Sequence, residues 1–397
     1  MSVETAASRA VPSMPGLSSM ETIQIGCGWI SESSGGLNRY YSELLQELPK
    51  VGVGVHGLVV GSEQVAALTG DVVRAFAPLN ASLPVRLASA RLSVRRALSA
   101  CPDGLFVSHF ALYAAPCLDL SRGRPLVVHF HGPWSEESGI EGDGRLATRA
   151  KHWTETQVYK RASRLIVLSR AFGRVLEERY AVSPERIRVV PGGVDTRRFV
   201  PTRSRADARR LLGWPTDRPI VFILRRLVRR MGLEDLLAAV RFAKVAVPDL
   251  LVIIGGRGPL SAELQQRAEA EGLSAHVLFA GFVPDDTLPA AYRAADLSVV
   301  PSVALEGFGL VVAESLAAGT PALVTDVGGL PETIETLAPQ CIVREPGARA
   351  LAAALIDALR GTLSLPPLAA CVRHAQTRFD WSVVAGRVRD TYLEAVS

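Results

Sequence analysis

The sequence predicts an α/β protein built from two parallel-sheet domains. A chain of 397 residues exceeds what one hydrophobic core usually serves. Short apolar runs alternate along it with helical stretches, the signature of parallel strands covered on both faces. Glycine-bearing turns follow several of those runs, at the strand ends where open α/β sheets hold ligands.

Composition sets the class. Apolar residues make up 48% and charged residues 21%, ordinary for a soluble α/β protein. No apolar run reaches the roughly 18–20 residues needed to span a bilayer. Residues 1–20 lack a basic start and an apolar centre and contain Glu4, so they read as a disordered tail rather than a secretory signal. Met20 is an alternative start. The five cysteines (Cys27, Cys101, Cys117, Cys341 and Cys371) are scattered without metal or redox spacing, which suits reduced, buried thiols in a cytoplasm. Charge is uneven: residues 1–200 carry 23 basic and 18 acidic side chains, residues 201–397 carry 21 of each. Such a bias concerns partners rather than fold.

The first half opens with a strand at residues 22–28 and a glycine-bearing segment that reaches Gly36. A helix over residues 37–48 follows, stopped by Pro49. This opening is of Rossmann type, but the spacing is not the G-x-G-x-x-G of dinucleotide sites, which disfavours NAD-dependent oxidoreduction. Arg39 reads either as a phosphate or acceptor contact or as a surface arginine. Strands follow at residues 55–60, 72–76, 104–108 and 126–130. A helix over residues 83–98 places Leu83, Leu87, Ala90, Val94 and Leu98 on one side, with Arg86, Arg91, Arg95 and Arg96 around the rest. It reads as a surface helix on its own sheet or as a basic amphipathic helix on an anionic membrane.

His129-Phe130-His131-Gly132-Pro133-Trp134 comes directly after a strand. Alternation puts His129 and His131 on the same side, with His131 at the very end, where an imidazole can donate to a sugar hydroxyl or move a proton. His129 reads as a core or supporting histidine, and His109 stands open between core and site. A helix over residues 143–161, a strand at 165–168, a helix at Arg170–Tyr180 and a strand at 187–190 complete this half. Ser169 closes a strand on the cleft side, in reach of a substrate. Pro191-Gly192-Gly193-Val194-Asp195 is a turn with room for sharp bends.

In the second half, the strand Ile220–Leu224 runs into Arg225-Arg226-Leu227-Val228-Arg229-Arg230-Met231-Gly232, which opens a helix through Phe242. Four arginines at such a turn can neutralise a diphosphate without metal, and the chain contains no Asp-x-Asp pair. A strand at residues 250–254 enters Gly255-Gly256-Arg257-Gly258-Pro259, and one at 277–280 enters Gly281-Phe282-Val283.

Residues 301–332 organise the rest. Pro301 ends the strand Leu297–Val300, Gly307 and Gly309 flank Phe308, and a helix runs over residues 310–318 until Gly319 and Pro321 stop it. The helix tip is an anion site. Glu306 and Glu314 bracket it, and ionised carboxylates accept from paired hydroxyls. A ligand with hydroxyls at both ends and phosphates between, a nucleoside-diphosphate sugar, has that layout. Gly328-Gly329 and Glu332 close the stretch.

At these residues the chain resembles the retaining glycosyltransferases of family 4, from residue 22 onward. The resemblance implies the GT-B fold: two Rossmann-like parallel-sheet domains facing across a cleft, with the C-terminal helix crossing back to the first. It divides the chain into a tail (1–20), an acceptor domain (21–200), a donor domain (201–378) and the crossover helix (379–397), with the hinge at Pro191–Asp195. Glu314 would hold the ribose hydroxyls and Glu306 would face the donor sugar. Amides of Gly307, Phe308, Gly309, Leu310 and Val311 would receive sugar and phosphate oxygens. His131 would approach the transferred carbon from the first domain, and Gly36 the diphosphate. Gly256 and Gly258 would line the nucleotide pocket, and Phe282 and Val283 would offer backbone groups to the base. Members usually show Gly-Arg-Leu and then a lysine before the glycine. Here Arg226 keeps the arginine, Arg225 replaces the glycine and Met231 replaces the lysine. Arg226 and Arg230 are therefore expected to clamp the diphosphate, with Arg225 as the weaker candidate.

The implied activity is metal-independent hexosyl transfer from a nucleotide sugar to a sugar, lipid-linked or small-molecule acceptor, in cell envelope or polysaccharide biosynthesis. No cofactor and no nucleic-acid partner are expected. The expected setting is the cytoplasm, with peripheral contact at the inner membrane face. Two alternatives are a nucleotide-sugar epimerase on the same fold and a nucleotide-sugar-binding pseudoenzyme.

Overall fold

The computed structural model describes residues 20–33 and 35–397. The expected tail, except Met20, lies outside them. Seven parallel strands form the first sheet: β1 (Met20–Gly28), β2 (Val53–Val60), β3 (Val73–Ala77), β4 (Leu105–Ser108), β5 (Leu126–Phe130), β6 (Arg164–Val167) and β7 (Ile187–Val189). Their order is β3-β2-β1-β4-β5-β6-β7. The second sheet holds β8 (Ile220–Leu224), β9 (Leu251–Gly255), β10 (Val277–Gly281), β11 (Leu297–Val300), β12 (Ala322–Thr325) and β13 (Ile342–Val343), ordered β10-β9-β8-β11-β12-β13.

These strands read as unbroken apolar runs because helices cover both faces; β4, β5, β9 and β11 are buried at every residue. Strand order reverses between β1 and β4 in one sheet and between β8 and β11 in the other. Such switch points leave a crevice beyond the strand ends. The segments after β1, β4 and β5 therefore bring Gly36, His109 and His131 to one wall, and those after β8 and β11 bring Arg225 and Glu306 to the other.

The helix expected over residues 143–161 forms, with an unexpected one before it, and one helical expectation changes. The stretch over residues 143–161 is the second of two helices, Trp134–Ile140 and Arg145–Arg161, separated by a turn through Gly142 at φ 107. The arginine turn does not open a helix directly: Arg229–Met231 forms a 3-10 turn, Gly232 takes φ 71, and the helix runs Leu233–Ala246. In the helix Leu83–Ala100, Ala90, Val94 and Leu98 are buried as their spacing requires, but Leu83 is exposed.

The two crossings between domains are tied to each other. Val194 pairs with Asp380 as an isolated parallel bridge, its N–H donating to the Phe379 carbonyl at 2.8 Å. Thr196 Oγ1 donates to the Asp380 carboxylate. A Cβ at Gly193 would lie 2.3 Å from the Trp381 ring, so only glycine lets the strands meet there. From this junction the helix Trp381–Val396 returns to the first domain. Trp381 Nε1 donates to Glu43 Oε2 at 2.7 Å, and the Tyr392 hydroxyl meets His129 Nε2 at 2.8 Å.

Candidate active site

The helix Leu310–Ala317 supplies the frame. Its first N–H groups have no partner within the helix and carry the positive end of its dipole. Gly309 leads in at φ 87, and Leu310 and Val311 form the first turn. Phe308 is buried, its ring 5.2 Å from Phe379 in an edge-on contact. Gly307 lies against Phe172 of the first domain.

Glu314, on the second turn, is buried and accepts from the Tyr292 hydroxyl at 2.9 Å. Burial pushes its carboxyl up to about 7, against the opposing charge of Arg39 and the Tyr292 hydrogen bond, with Glu43 adding to the rise. Arg39 reaches across the cleft, its Nη2 2.5 Å from Asp285 Oδ1 and its Nη1 3.4 Å from Glu43 Oε1. Arg198 donates to the Asp285 carbonyl at 2.7 Å.

Glu306 is held differently. It accepts from Arg225 Nη2 and, at 2.9 Å, from Ser302 Oγ. Burial works to raise its pKa, but the Arg225 charge and hydrogen bond, Ser302 and Arg230 together bring it below the ordinary value. Arg225 is buried, its Nη2 also 2.7 Å from Met231 Sδ and 2.6 Å from Ser302 Oγ. Arg230 donates to the Leu305 carbonyl at 3.1 Å and stands 3.6 Å from Glu137 Oε2. Glu137 belongs to the first domain; burial raises its carboxyl while Arg230 opposes the rise. Arg226 is exposed and makes no ion pair among the described residues.

Gly256 and Gly258 fit the arginine loop by close approach. A Cβ on Gly256 would sit 1.9 Å from the Arg225 carbonyl oxygen, and one on Gly258 2.3 Å from that of Leu227. Their absence lets Arg225 N–H bond the Gly255 carbonyl and Leu227 N–H bond that of Arg257, both at 3.0 Å. Phe282 is exposed, with the Arg257 guanidinium 5.4 Å from its ring centre; Val283 is partly buried beside Gly255.

On the facing wall His109, His129 and His131 stack with nearly parallel rings. Their hydrogen bonds assign the tautomers. Thr22 Oγ1 donates to the Gly54 carbonyl at 2.8 Å and accepts from Gln24 Nε2 at 3.0 Å, which leaves Gln24 Oε1 to accept from His109 Nε2 at 2.9 Å. His109 Nδ1 then accepts from His131 Nε2, 3.4 Å away. His131 Nδ1 remains an acceptor. Loss of hydration lowers the His131 imidazole to about 4, so at neutral pH the ring is uncharged and its open nitrogen is an acceptor. His109 is a supporting residue for His131. His129 lies buried between Tyr40 and Tyr392. Gly36 is exposed at the start of the helix Gly36–Glu47. Ser169, read as reaching substrate, is fully buried and instead caps the helix Arg170–Tyr180 by accepting from Phe172 N–H at 3.2 Å.

Several participants escaped sequence reasoning. Tyr292, Glu137 and Asp285 belong to no motif, and Ser302, inside the stretch 301–332, carried no signal of its own. Glu332 crosses the cleft to accept from the N–H groups of Arg170 and Ala171, each at 2.9 Å, so a carboxylate of one domain caps a helix of the other.

The description "Glycosyltransferase Family 4" matches residues 34–198, and "Glycosyl transferases group 1" matches residues 204–376. The chain is similar to the D-inositol 3-phosphate glycosyltransferase of Acidothermus cellulolyticus, 31% identical over 94% of this chain and 87% of that protein. It is 33% identical to the GDP-mannose-dependent alpha-(1-6)-phosphatidylinositol monomannoside mannosyltransferase of Mycolicibacterium smegmatis, over 51% of this chain and 54% of that one. In fold it matches HepE of Anabaena in complex with UDP-glucose, at a TM-score of 0.75 and 20% identity, covering 94% of this chain and all of that one (100%). Two doubly wound parallel sheets facing a cleft, with a last helix returning to the first domain, are the GT-B arrangement. The chain belongs to the group 1 glycosyl transferases of glycosyltransferase family 4.

Proposed function

We propose that the enzyme moves a hexosyl group from a nucleoside-diphosphate sugar to a phosphorylated polyol of the inositol phosphate kind, free or lipid-linked, with retention of configuration. The observation that carries this reading is the pair of carboxylates, partly buried Glu306 and buried Glu314, on either side of a helix N-terminus with an arginine loop beside it. Glu314 would take the ribose hydroxyls and Glu306 the sugar hydroxyls. The phosphates would fall on the amides of residues 307–311 and the guanidinium groups of the loop. Residues 21–200 would bear the acceptor, 201–378 the donor, and the segment 379–397 would couple them. The relatives named for inositol phosphate and phosphatidylinositol acceptors support the acceptor class, as does the basic excess of the first half.

Retention suits this site because Glu306 is occupied by Arg225 and Ser302 and is poorly disposed to attack carbon. The acceptor oxygen would bond the anomeric carbon on the face the phosphate leaves, and the departing phosphate oxygen would take the acceptor proton. The growing phosphate charge would meet the arginine loop and the helix tip. His131 would accept from a hydroxyl of the donor sugar. No cofactor beyond the nucleotide sugar and no nucleic acid enters the reading. Among the described residues no helix is long and apolar enough to cross a membrane, and we assign contact with a lipid-linked acceptor to peripheral docking at the inner face of a membrane.

The test is incubation with UDP- and GDP-hexoses, with inositol phosphates or phosphatidylinositol vesicles as acceptors. Mass spectrometry should show the acceptor heavier by one hexose, and NMR the donor's anomeric configuration kept. Donor hydrolysis or isomerisation independent of acceptor would overturn the reading.

A further inference from the structure

Glu137 brings a carboxylate of the first domain into the cleft. It stands on the helix Trp134–Ile140, and a Cβ on Gly132 would lie 2.8 Å from its Oε1. The carboxylate therefore rests over the glycine that follows His131. Its Oε2 is 3.6 Å from Arg230 Nη2 of the second domain. The charge of Glu306 adds to the rise in its pKa, and that of Arg226 opposes it. Glu137 thus looks onto the space between the His131 wall and the Glu306 wall.

Neighbouring carboxylates are met by the protein. Glu136 pairs with Arg179 at 2.5 Å, Glu155 accepts from the Tyr180 hydroxyl at 2.9 Å, and Glu306 accepts from Arg225 and Ser302. The Glu137 carboxylate accepts no hydrogen bond among the described residues. Its separation from Arg230 exceeds the roughly 2.7–3.2 Å of a hydrogen bond, so Arg230 balances its charge without meeting its lone pairs. An ionised carboxylate only accepts, with room for about four donors, and this side chain is only 30% exposed. A half-buried acceptor without a protein donor, beside the reacting residues, suits the hydroxyl of a polyol.

The domain that carries it decides which substrate it meets. In the proposed reaction the donor's ribose, phosphates and sugar fall to the second domain and to His131, which leaves the rest of the first-domain wall to the acceptor. We propose that Glu137 is an acceptor-binding carboxylate: it accepts from a hydroxyl next to the attacking one and so selects a polyol with free vicinal hydroxyls at its reacting edge. The inference rests on the proposed transfer to a polyol and adds a specificity residue on its acceptor side. Glu137 takes no proton in the reaction; the departing phosphate oxygen does. With Glu306 close by, a phosphate next to the attacking hydroxyl is repelled, so the acceptor's phosphate points away from this edge.

The experiment is steady-state kinetics with a UDP- or GDP-hexose as donor and an inositol phosphate, with its monodeoxy analogues, as acceptor. Glu137→Ala should raise the acceptor KM by about ten- to a hundredfold, the worth of a hydrogen bond to a charged group, and leave the donor KM nearly unchanged. An analogue lacking the hydroxyl that Glu137 holds should lose a similar factor with the wild type and nothing further with Glu137→Ala, because its partner is already gone. A helix merely disturbed by the substitution would penalise every analogue alike, and that result would refute the contact. Glu137→Gln keeps the shape and loses the charge; it should raise the acceptor KM by about fivefold, and it decides the matter if Glu137→Ala does not fold. An unchanged acceptor KM in Glu137→Gln, or a loss that falls on the donor KM through Arg230, would overturn the assignment and leave the transferase reading standing. If the wild type passes hexose to no inositol phosphate, the functional reading falls and this assignment with it.

Discussion

The Tyr292 hydroxyl donates to Glu314 Oε2 at 2.9 Å, and both side chains are buried. The bond supports the carboxylate without meeting its full need for hydration, and the Glu314 pKa stands near 7 against an ordinary 4.5.

A stability effect follows. Below about pH 4.5 the carboxyl is protonated in folded and unfolded chains alike. Between about 4.5 and 7 the folded protein holds the extra proton, so stability falls as pH rises, by on the order of 3 kcal/mol across the window. Glu314→Gln removes the ionisation, and its denaturation midpoint should exceed that of the wild type at pH 8 but match it at pH 5. Nucleotide affinity should fall about tenfold or more in Glu314→Ala, by the worth of a charged hydrogen bond. Equal midpoints for wild type and Glu314→Gln at both pH values would show that the carboxyl titrates normally.

His131 should affect turnover rather than nucleotide affinity, since it stands on the wall opposite Glu314. His131→Ala should bind nucleotide nearly as wild type and transfer sugar at least about tenfold more slowly, the scale of one lost transition-state hydrogen bond. With its imidazole held near 4, the kcat profile of the wild type should show no limb from His131 between pH 5.5 and 8. His109→Phe should lower kcat with little change in nucleotide affinity, because it frees His131 Nε2. A kcat limb near pH 6.5 that vanishes in His131→Ala would contradict the neutral assignment.

Glu332 caps the helix Arg170–Tyr180 from the other domain. Losing a helix cap costs about 1 kcal/mol. Glu332→Ala should lower the melting temperature by a few degrees and speed hydrogen exchange at Arg170 and Ala171. Unchanged exchange at those amides would mean that the cap does not form in solution.

On the helix Leu83–Ala100, Arg91 pairs with Asp119 at 2.5 Å and Arg86 bonds the Ala81 carbonyl at 2.7 Å. Arg95 and Arg96 are exposed, as are Leu83, Val85 and Leu92. Co-sedimentation with vesicles should rise with anionic lipid, fall with salt and drop in Arg95→Glu/Arg96→Glu. Sedimentation indifferent to lipid charge would point to an acceptor taken from solution.

Periodicity and local punctuation made the fold legible. Alternating apolar runs marked the strands, Gly319 and Pro321 the end of a helix, and Gly307-Phe308-Gly309 with Glu306 and Glu314 the candidate site at the tip of the next helix, because strand burial, helix ends and dipoles are set by residues close in sequence. The membership in family 4 was likewise written in motifs. Only the tertiary structure decided what side chains do once they leave those motifs. Arg225 meets Glu306 across 81 residues, His129 meets Tyr40 across 89 and Tyr392 across 263. Which arginine of the loop turns inward depends on what the next strand and the far end of the chain place beside it. The same holds for His131: its open nitrogen is fixed by a chain of hydrogen bonds running back through His109 and Gln24 to Thr22. No spacing in the sequence encodes that direction, because the cost of a buried, unmet donor is settled only when the two sheets and the returning helix close on one another.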